Sequence, residues 1–321
     1  MTLTDALKAS LQSPLMRTTA AAPRIQGKVR DIYELDTRLA LVTTDRVSAF
    51  DRVLGAVPLR GQALNQLSAW WLEETADIVG NHLIDSPDPN IALVHRADPL
   101  PVEVVVRGYI TGVTDTSLWT LYAQGVERPY GLDLPSGLQK NDKLPYPVIT
   151  PTTKAPSGEH DERLTQEQII DEQWVEPKLW QQVKEVSLAL FERGSAKAKE
   201  AGLILVDTKY EFGLIDGRLA LIDEVHTPDC SRYWRDNQLQ GEPQSMSKEH
   251  LRKWLKSVGY AGEGPVPAIP EEVLIDTALR YIEVFERLTA TAFVPASQPA
   301  QPRIEGALTD LLAQNAGVGN G

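Results

Sequence analysis

Cysteine is almost absent. Cys230 is the only one in 321 residues, so no disulfide can close within the chain and a cysteine-built metal site is excluded. Long apolar runs are also missing. No stretch of about 18 apolar residues is available to span a bilayer, and the first residues carry no extended apolar signal segment, so a cytoplasmic location is the expectation. Positive charge is in deficit: 32 Lys and Arg against 44 Asp and Glu give a formal net charge of −12 at pH 7. General nucleic-acid binding needs clustered basic groups, so it is not expected, although a local basic pocket for a mononucleotide remains compatible with the count. No Walker loop is present, because the required glycine spacing and the terminal Lys-Ser/Thr are lacking. Nor is there a convincing Ser–His–Asp or Cys–His arrangement, and Cys230 beside Ser231 reads as a small packing residue.

What is present describes a soluble globular protein, with 42% hydrophobic and 24% charged residues. The length allows two domains with ample core. Polar chemistry is densest at 203–234, where Lys209, Glu211, Asp223, Glu224 and Arg232 lie in or just beyond two expected strands, 203–212 and 218–225. Asp216-Gly217 between them is a hairpin signal. Residues two apart on a strand share a face, which puts Lys209 with Glu211. A two-residue turn would pair Tyr210 with Asp223 and send that carboxylate to the other face. A three-residue loop of Ile215, Asp216 and Gly217 would instead pair Lys209 with Asp223, bringing both acids and the lysine together. The functional reading requires the odd-length loop. Two close carboxylates need a compensating cation, and Mg²⁺ suits one or two carboxylates together with phosphate and water. The plainer alternative is a solvent-facing hairpin with an ordinary Lys–Glu pair.

Elsewhere, a short helix and a linker are expected through residue 22, then strands at 27–35 and 39–43. Gly27, Lys28 and Arg30 allow close approach to phosphate, with a plain hairpin bearing exposed basic groups as the alternative. Asp45, Arg46, Ser48 and Asp51 follow a β run, as active-edge loop residues do. An amphipathic helix at 65–71 presents Leu67 and Trp71. The strand 102–106 ends at Arg107, which must be solvated, paired with an acid, or reserved for an anionic ligand. The Pro- and Gly-rich segment 129–158 reads as a functional loop, and His160 beyond it as a structural hydrogen-bonder in preference to a base. Thr165 and Gln168 form a capping-box pattern, Pro177 interrupts that helix, and a second one runs from 179 to about 201. A further helix at 271–290 carries a core stripe that includes Tyr281 and Phe285, and a last short helix is expected to be peripheral.

Six segments carry a family resemblance: GKVRDIYEL from Gly27, TTDRVSAFDRVL from Thr43, VVVRGYITG from Val104, TPTTKAPSGEHDE from Thr150, DTKYEFG from Asp207 and LIDEVHTPDCSRYW from Leu221. In this order they resemble the phosphoribosylaminoimidazole-succinocarboxamide synthase, or SAICAR synthetase, family. The resemblance implies an α+β, ATP-grasp-like two-lobed architecture with antiparallel sheets and flanking helices. An N-terminal lobe at 1–116 would carry the glycine-bearing phosphate loop, and a larger lobe at 117–321 the C-terminal helices. It implies an ATP- and Mg²⁺-dependent ligase of purine biosynthesis joining carboxyaminoimidazole ribonucleotide (CAIR) to L-aspartate, with no nucleic-acid or membrane partner. By the same resemblance Glu211 and Asp223 are the Mg²⁺–nucleotide carboxylates, Lys209, Arg107 and Arg232 hold anionic parts of the substrate, and Gly27, Lys28 and Arg30 meet phosphate. The chain departs from the pattern after Gly112, where Val-Thr-Asp-Thr precedes Ser117-Leu118-Trp119. Read as an insertion, this leaves Ser117 as the substrate-binding hydroxyl, with Thr114 and Thr116 as alternatives. Thr153, Lys154 and Ser157 are candidate contacts for aspartate. A small-molecule kinase using the same Mg-ATP cleft is the alternative enzyme, and a nucleotide-binding regulatory module the non-enzymatic one. The sequence leaves oligomeric state open, with a monomer as the working expectation.

Overall fold

The computed structural model describes residues 1–321 except 51, 115, 155–160, 237–242 and 319–321, and leaves out the side chains of 316–318. Thr2 and Asp5 cap α1 (Leu3–Gln12) reciprocally, satisfying backbone donors at its exposed start. Strands β1 (Arg24–Gln26), β2 (Arg30–Leu35) and β3 (Arg38–Thr43) follow. A small hairpin of β4 (Arg46–Ala49) and β5 (Arg52–Ala56) leads into α2 (Arg60–Glu74), and β6 (Leu83–Asp88) and β7 (Ile91–His95) come next. These strands build a first antiparallel sheet in the order β1-β2-β3-β7-β6.

The second sheet starts at β8 (Asp98–Tyr109). After α3 (Leu118–Ala123) come β9 (Lys143–Thr153), α4 (Gln166–Asp171), α5 (Pro177–Glu200), β10 (Leu203–Ile215), β11 (Arg218–Ile222) and β12 (Ser231–Arg235). Their order is β11-β10-β8-β9, with β12 also on β10. Helices α6 (Glu249–Ser257), α7 (Glu271–Thr289) and α8 (Ala300–Val318) complete the chain. A large core joins α2, α5, α7 and the second sheet, and a smaller one lies under the first sheet. Among the described residues no helix is long and apolar enough to cross a membrane.

The α+β reading holds, and so does the capping box of Thr165 and Gln168. Four expectations change. The segment 129–158 is not one loop, because 143–153 forms β9 against β8. Pro177 opens α5 at a position where its missing N–H costs nothing. The last helix is neither short nor peripheral: Ala300, Ile304, Leu308 and Leu311 are buried against the first sheet's core. A division at 116 does not match the sheets either. It would cut β8 from both its ladder partners, while α8 from the far side of that cut packs back on the first sheet. The sheets change over between His95 and Asp98.

Candidate active site

Ile215 stands opposite Arg218, so the β10–β11 turn consists of Asp216 and Gly217 alone. Both are left-handed, with φ of 50° and 73°, the turn whose twist matches the flanking strands. The odd-length loop therefore does not form. Glu211 pairs with Ile222, and the register alone would send Asp223 to the face away from Glu211. That alternation stops, however, where β11 ends. Asp223 has φ of 66° and leaves the ladder, and its carboxylate forms an ion pair with Arg30 at the start of β2. Arg30 also lies 3.9 Å from Glu224. Buried His82 adjoins this bridge, lining a small pocket with Arg30 and Asp223, and its imidazole feels both the Arg30 and the Glu211 charge.

Glu211 is held by two ammonium groups. Lys209 Nζ donates to its Oε1 at 2.5 Å and to Glu103 Oε1 at 2.7 Å, while Lys154 Nζ donates to Glu211 Oε2 at 2.5 Å. Burial favours the neutral form of each group, yet the Glu211 and Glu103 charges raise Lys209 above the usual lysine value. Against the same desolvation, the ammoniums of Lys209 and Lys154 hold Glu211 below the usual carboxylate range. Glu103 moves the other way: desolvation raises it, Lys209 opposes and the Glu211 charge adds.

Beside this group opens a cavity of about 540 Å³ whose lining includes Lys28, Glu103, Arg107, Lys209 and Arg232. Neither Glu211 nor Asp223 lines it: Glu211 is bonded to Lys209, which does, and Asp223 lines the smaller pocket with Arg30 and His82. Arg107 is paired with protein acid, one of its three sequence alternatives, and Arg232 shares that acid: both donate to Asp207 Oδ2, at 3.1 and 2.6 Å. Arg107 Nε also donates to Thr150 at 2.9 Å, which leaves a rigid two-guanidinium edge on the cavity. Gly27 makes the tight turn by donating to the Arg30 carbonyl at 2.8 Å. Asp45 and Arg46 belong to the frame. Asp45 accepts from the Leu15 and Gly61 N–H groups, and Arg46 donates to the carbonyls of Gly27, Lys28 and Arg30. Ser48 does line the cavity; Asp51, Ser157, Glu159 and His160 lie outside the described residues.

Ser117 is displaced from its expected role. It is 3% exposed, caps α3 by accepting from Thr120 N, and does not line the cavity, whereas Thr114 and Thr116 do. The left-handed Gly112, with φ of 111°, packs directly on the Ser117 side chain and leaves no room for a Cβ. Sequence reasoning missed Asp207, although it shares the two-residue spacing of Lys209 and Glu211. It also missed a buried group that reaches the cavity, where Asp229 Oδ2 lies 3.0 Å from both Arg60 and Lys248 and Tyr281 donates to Oδ1 at 3.2 Å. No local signal links those residues, which come from four distant parts of the chain. Cys230 lines the cavity with its thiol pushed up to about 11 by burial, so it is no thiolate nucleophile at neutral pH.

The family model described as SAICAR synthetase matches residues 23–269, well over half of the chain. A phosphoribosylaminoimidazole-succinocarboxamide synthase of Legionella pneumophila (strain Lens) is 47% identical over 314 residues, covering 94% of this chain and 98% of that protein. The chloroplastic synthase of Arabidopsis thaliana is 43% identical over 323 residues, covering 96% of this chain and 78% of the plant protein. A solved SAICAR-synthase from Saccharomyces cerevisiae, complexed with SAICAR, superposes with a TM-score of 0.76 at 32% identity, covering 87% of this chain and 99% of that one. Glycine turn, paired arginines and Lys–Glu strand thus lie within a matched region that spans both sheets, and the chain belongs to the SAICAR synthetase family.

Proposed function

We propose that this chain is the ATP-dependent ligase that joins the carboxylate of CAIR to the amine of L-aspartate, giving SAICAR, ADP and phosphate. The observation that carries the reading is the pair of arginines fixed by one acid: Arg107 and Arg232 on Asp207, beside Lys209 and facing a cavity of about 540 Å³. Pre-set guanidinium groups bind a phosphate monoester without first having to be ordered.

A carboxylate is a poor acyl donor because an amine would have to expel oxide. Transfer of the γ-phosphoryl group of ATP to it gives an acyl phosphate, and the amine of aspartate then displaces phosphate to form the amide. For this sequence the chain must hold the nucleotide substrate, bring the carboxylate and the triphosphate into line, and exclude water until the amine arrives. Arg107 and Arg232 would hold the substrate's anionic end, with Thr114 and Thr116 in place of Ser117 as hydroxyl contacts. Lys28 and Arg30, around the turn at Gly27, would steady the ATP phosphates. Lys154 would meet aspartate or a phosphate once released from Glu211.

Glu211 and Asp223 fit a divalent ion by donor chemistry, being hard carboxylate oxygens held here by Lys209, Lys154 and Arg30, cations that the ion would have to displace. Among the described residues no cluster of three or more His, Cys, Asp or Glu forms a closed cage, but Mg²⁺ on a nucleotide needs only one or two carboxylates. Bound there, the ion would supply charge neutralisation at the transferring phosphoryl group.

The test is incubation with Mg·ATP, L-aspartate and CAIR, followed by product mass. A product containing aspartate, formed with one ADP per turnover, is expected. A stable phosphorylated CAIR made without aspartate would mean a kinase and overturn the proposal.

A further inference from the structure

The segment that carries Asp223 has a second, buried anchorage on the far side of the sheet. Asp223 and His226 are both left-handed, with φ of 66° and 52°, and neither is glycine. Such residues are strained and persist only where their surroundings over-determine them. Here the surroundings are specific. The Tyr210 hydroxyl and His226 Nε2 share a hydrogen bond at 2.5 Å, the His226 carbonyl accepts from the Tyr233 hydroxyl at 2.7 Å, and the ring stands edge-on to Trp71 at 4.5 Å. Val225 N donates to Ser68 of α2 at 3.3 Å. From the remaining side α5 supplies Gly194, where a Cβ would lie 2.4 Å from His226 Cε1 and 2.8 Å from Nδ1. Glycine inside a helix is less favourable than alanine, so close contact with the imidazole gives it a reason to be there.

Tyr210 sits between Lys209 and Glu211 on β10, and its side chain therefore points to the opposite face from theirs. One strand thus offers ammonium and carboxylate to the site and, from its back, a hydroxyl to the loop that brings Asp223. We propose that Tyr210 and His226 are a positioning pair, which fixes the backbone of 223–227 so that the Asp223 carboxylate reaches the nucleotide-bound divalent ion alongside Glu211. The pair touches no substrate and acts only through Asp223. His226 Nδ1 has no hydrogen-bond partner among the described residues, so Tyr210 is the side chain that ties the ring in place. This inference rests on the assignment of Asp223 as a metal carboxylate.

The experiment measures Mn²⁺ affinity by electron paramagnetic resonance in the presence of ADP, and separately CAIR affinity, for four proteins: wild type, Tyr210→Phe, Gly194→Ala and Asp223→Asn. Tyr210→Phe removes one hydroxyl, and Gly194→Ala pushes the ring from a different element, so the two reach the loop independently. Expected for both is Mn²⁺ binding weakened about ten-fold, the scale of one lost buried hydrogen bond, with CAIR affinity unchanged because Arg107 and Arg232 stand on β8 and β12. Wild-type Mn²⁺ affinity in both variants, with Asp223→Asn impaired, would overturn the positioning role and leave the metal assignment intact. Equal weakening of Mn²⁺ and CAIR would also overturn it, marking the pair as general packing. Unimpaired binding in Asp223→Asn would remove the metal assignment itself.

Discussion

Two buried histidines are held neutral by the fold, and each makes the protein acid-sensitive in a defined range. Burial lowers His226 from 6.5 to about 3; burial and the Arg30 charge do the same to His82, against the opposing Glu211 charge. A folded-state value below the unfolded one means that the unfolded chain takes up the proton first, so stability is complete above about pH 6.5 and falls as pH drops toward 3. Lowered carboxylates such as Glu211 and Asp229 add their own loss only below the ordinary acid range. Between about pH 6.5 and 4.5 the imidazoles work against Glu103, whose carboxyl burial raises to about 7 and which therefore gains stability as pH falls, so the wild-type slope is a sum of opposed contributions. The His226 contribution is read by difference: the urea midpoint of ligand-free wild type should fall more, or rise less, across this interval than that of His226→Leu. Identical pH slopes for the two proteins would contradict a neutral buried His226 ring. The same residue scale explains what the sequence could and could not reveal about the site. Lys209 and Glu211 share a face by simple alternation, and Asp207 is legible by the same rule. Asp223 is not, because its orientation comes from one left-handed backbone angle that no spacing encodes.

Among the elements, turn chemistry was readable and sheet context was not. Asp216-Gly217 announces a hairpin in which two adjacent left-handed residues are cheap, whereas a three-residue loop runs against the turn that these residues favour. β9 contains Pro145, Pro147 and Pro151, which read locally as loop. Its place at the edge of the β11-β10-β8-β9 order explains the tolerance, since an edge strand can present prolines on the side without a partner. The Pro- and Gln-rich surroundings of α8 suggest a peripheral helix, although Ala300, Ile304, Leu308 and Leu311 follow a helical stripe. That stripe makes a quantitative expectation. Ile304 is fully buried under the first sheet, and Ile304→Ala should cost about 2–4 kcal/mol by deleting buried methyl groups and leaving a cavity. Urea unfolding measures it directly. A loss below about 0.5 kcal/mol, the usual range of surface substitutions, would show that α8 does not pack as described.

Over the whole molecule, charge is distributed in a way that net composition conceals. The formal charge is −12, yet the cavity sets Lys28, Arg107, Lys209, Arg232, Lys248 and Arg252 against Glu103, Asp161, Asp207, Asp229 and Glu249, so the lining of its interior is close to charge-balanced on an acidic protein. The two sheets meet beside that interior at the end of β11. Leu221 N donates to Gly80 O at 2.9 Å, His82 N donates to Leu221 O at 3.2 Å, and Arg30 of the first sheet pairs with Asp223 of the second segment. Arg30 thus neutralises a carboxylate proposed to hold a divalent ion, and it stands next to the turn proposed to hold phosphate. Those two roles pull a substitution in opposite directions. In Arg30→Gln, Asp223 loses its competing cation, so Mg²⁺ alone should raise the melting temperature more than it does in wild type. Mg·ADP should raise it less, because the phosphates lose a guanidinium; at a hundred-fold excess over Kd the wild-type gain is about 2.7 kcal/mol. Thermal melts with Mg²⁺ alone and with Mg·ADP supply both numbers. If the variant gains at least as much as wild type from Mg·ADP, Arg30 is a strut between sheets and has no share in nucleotide binding.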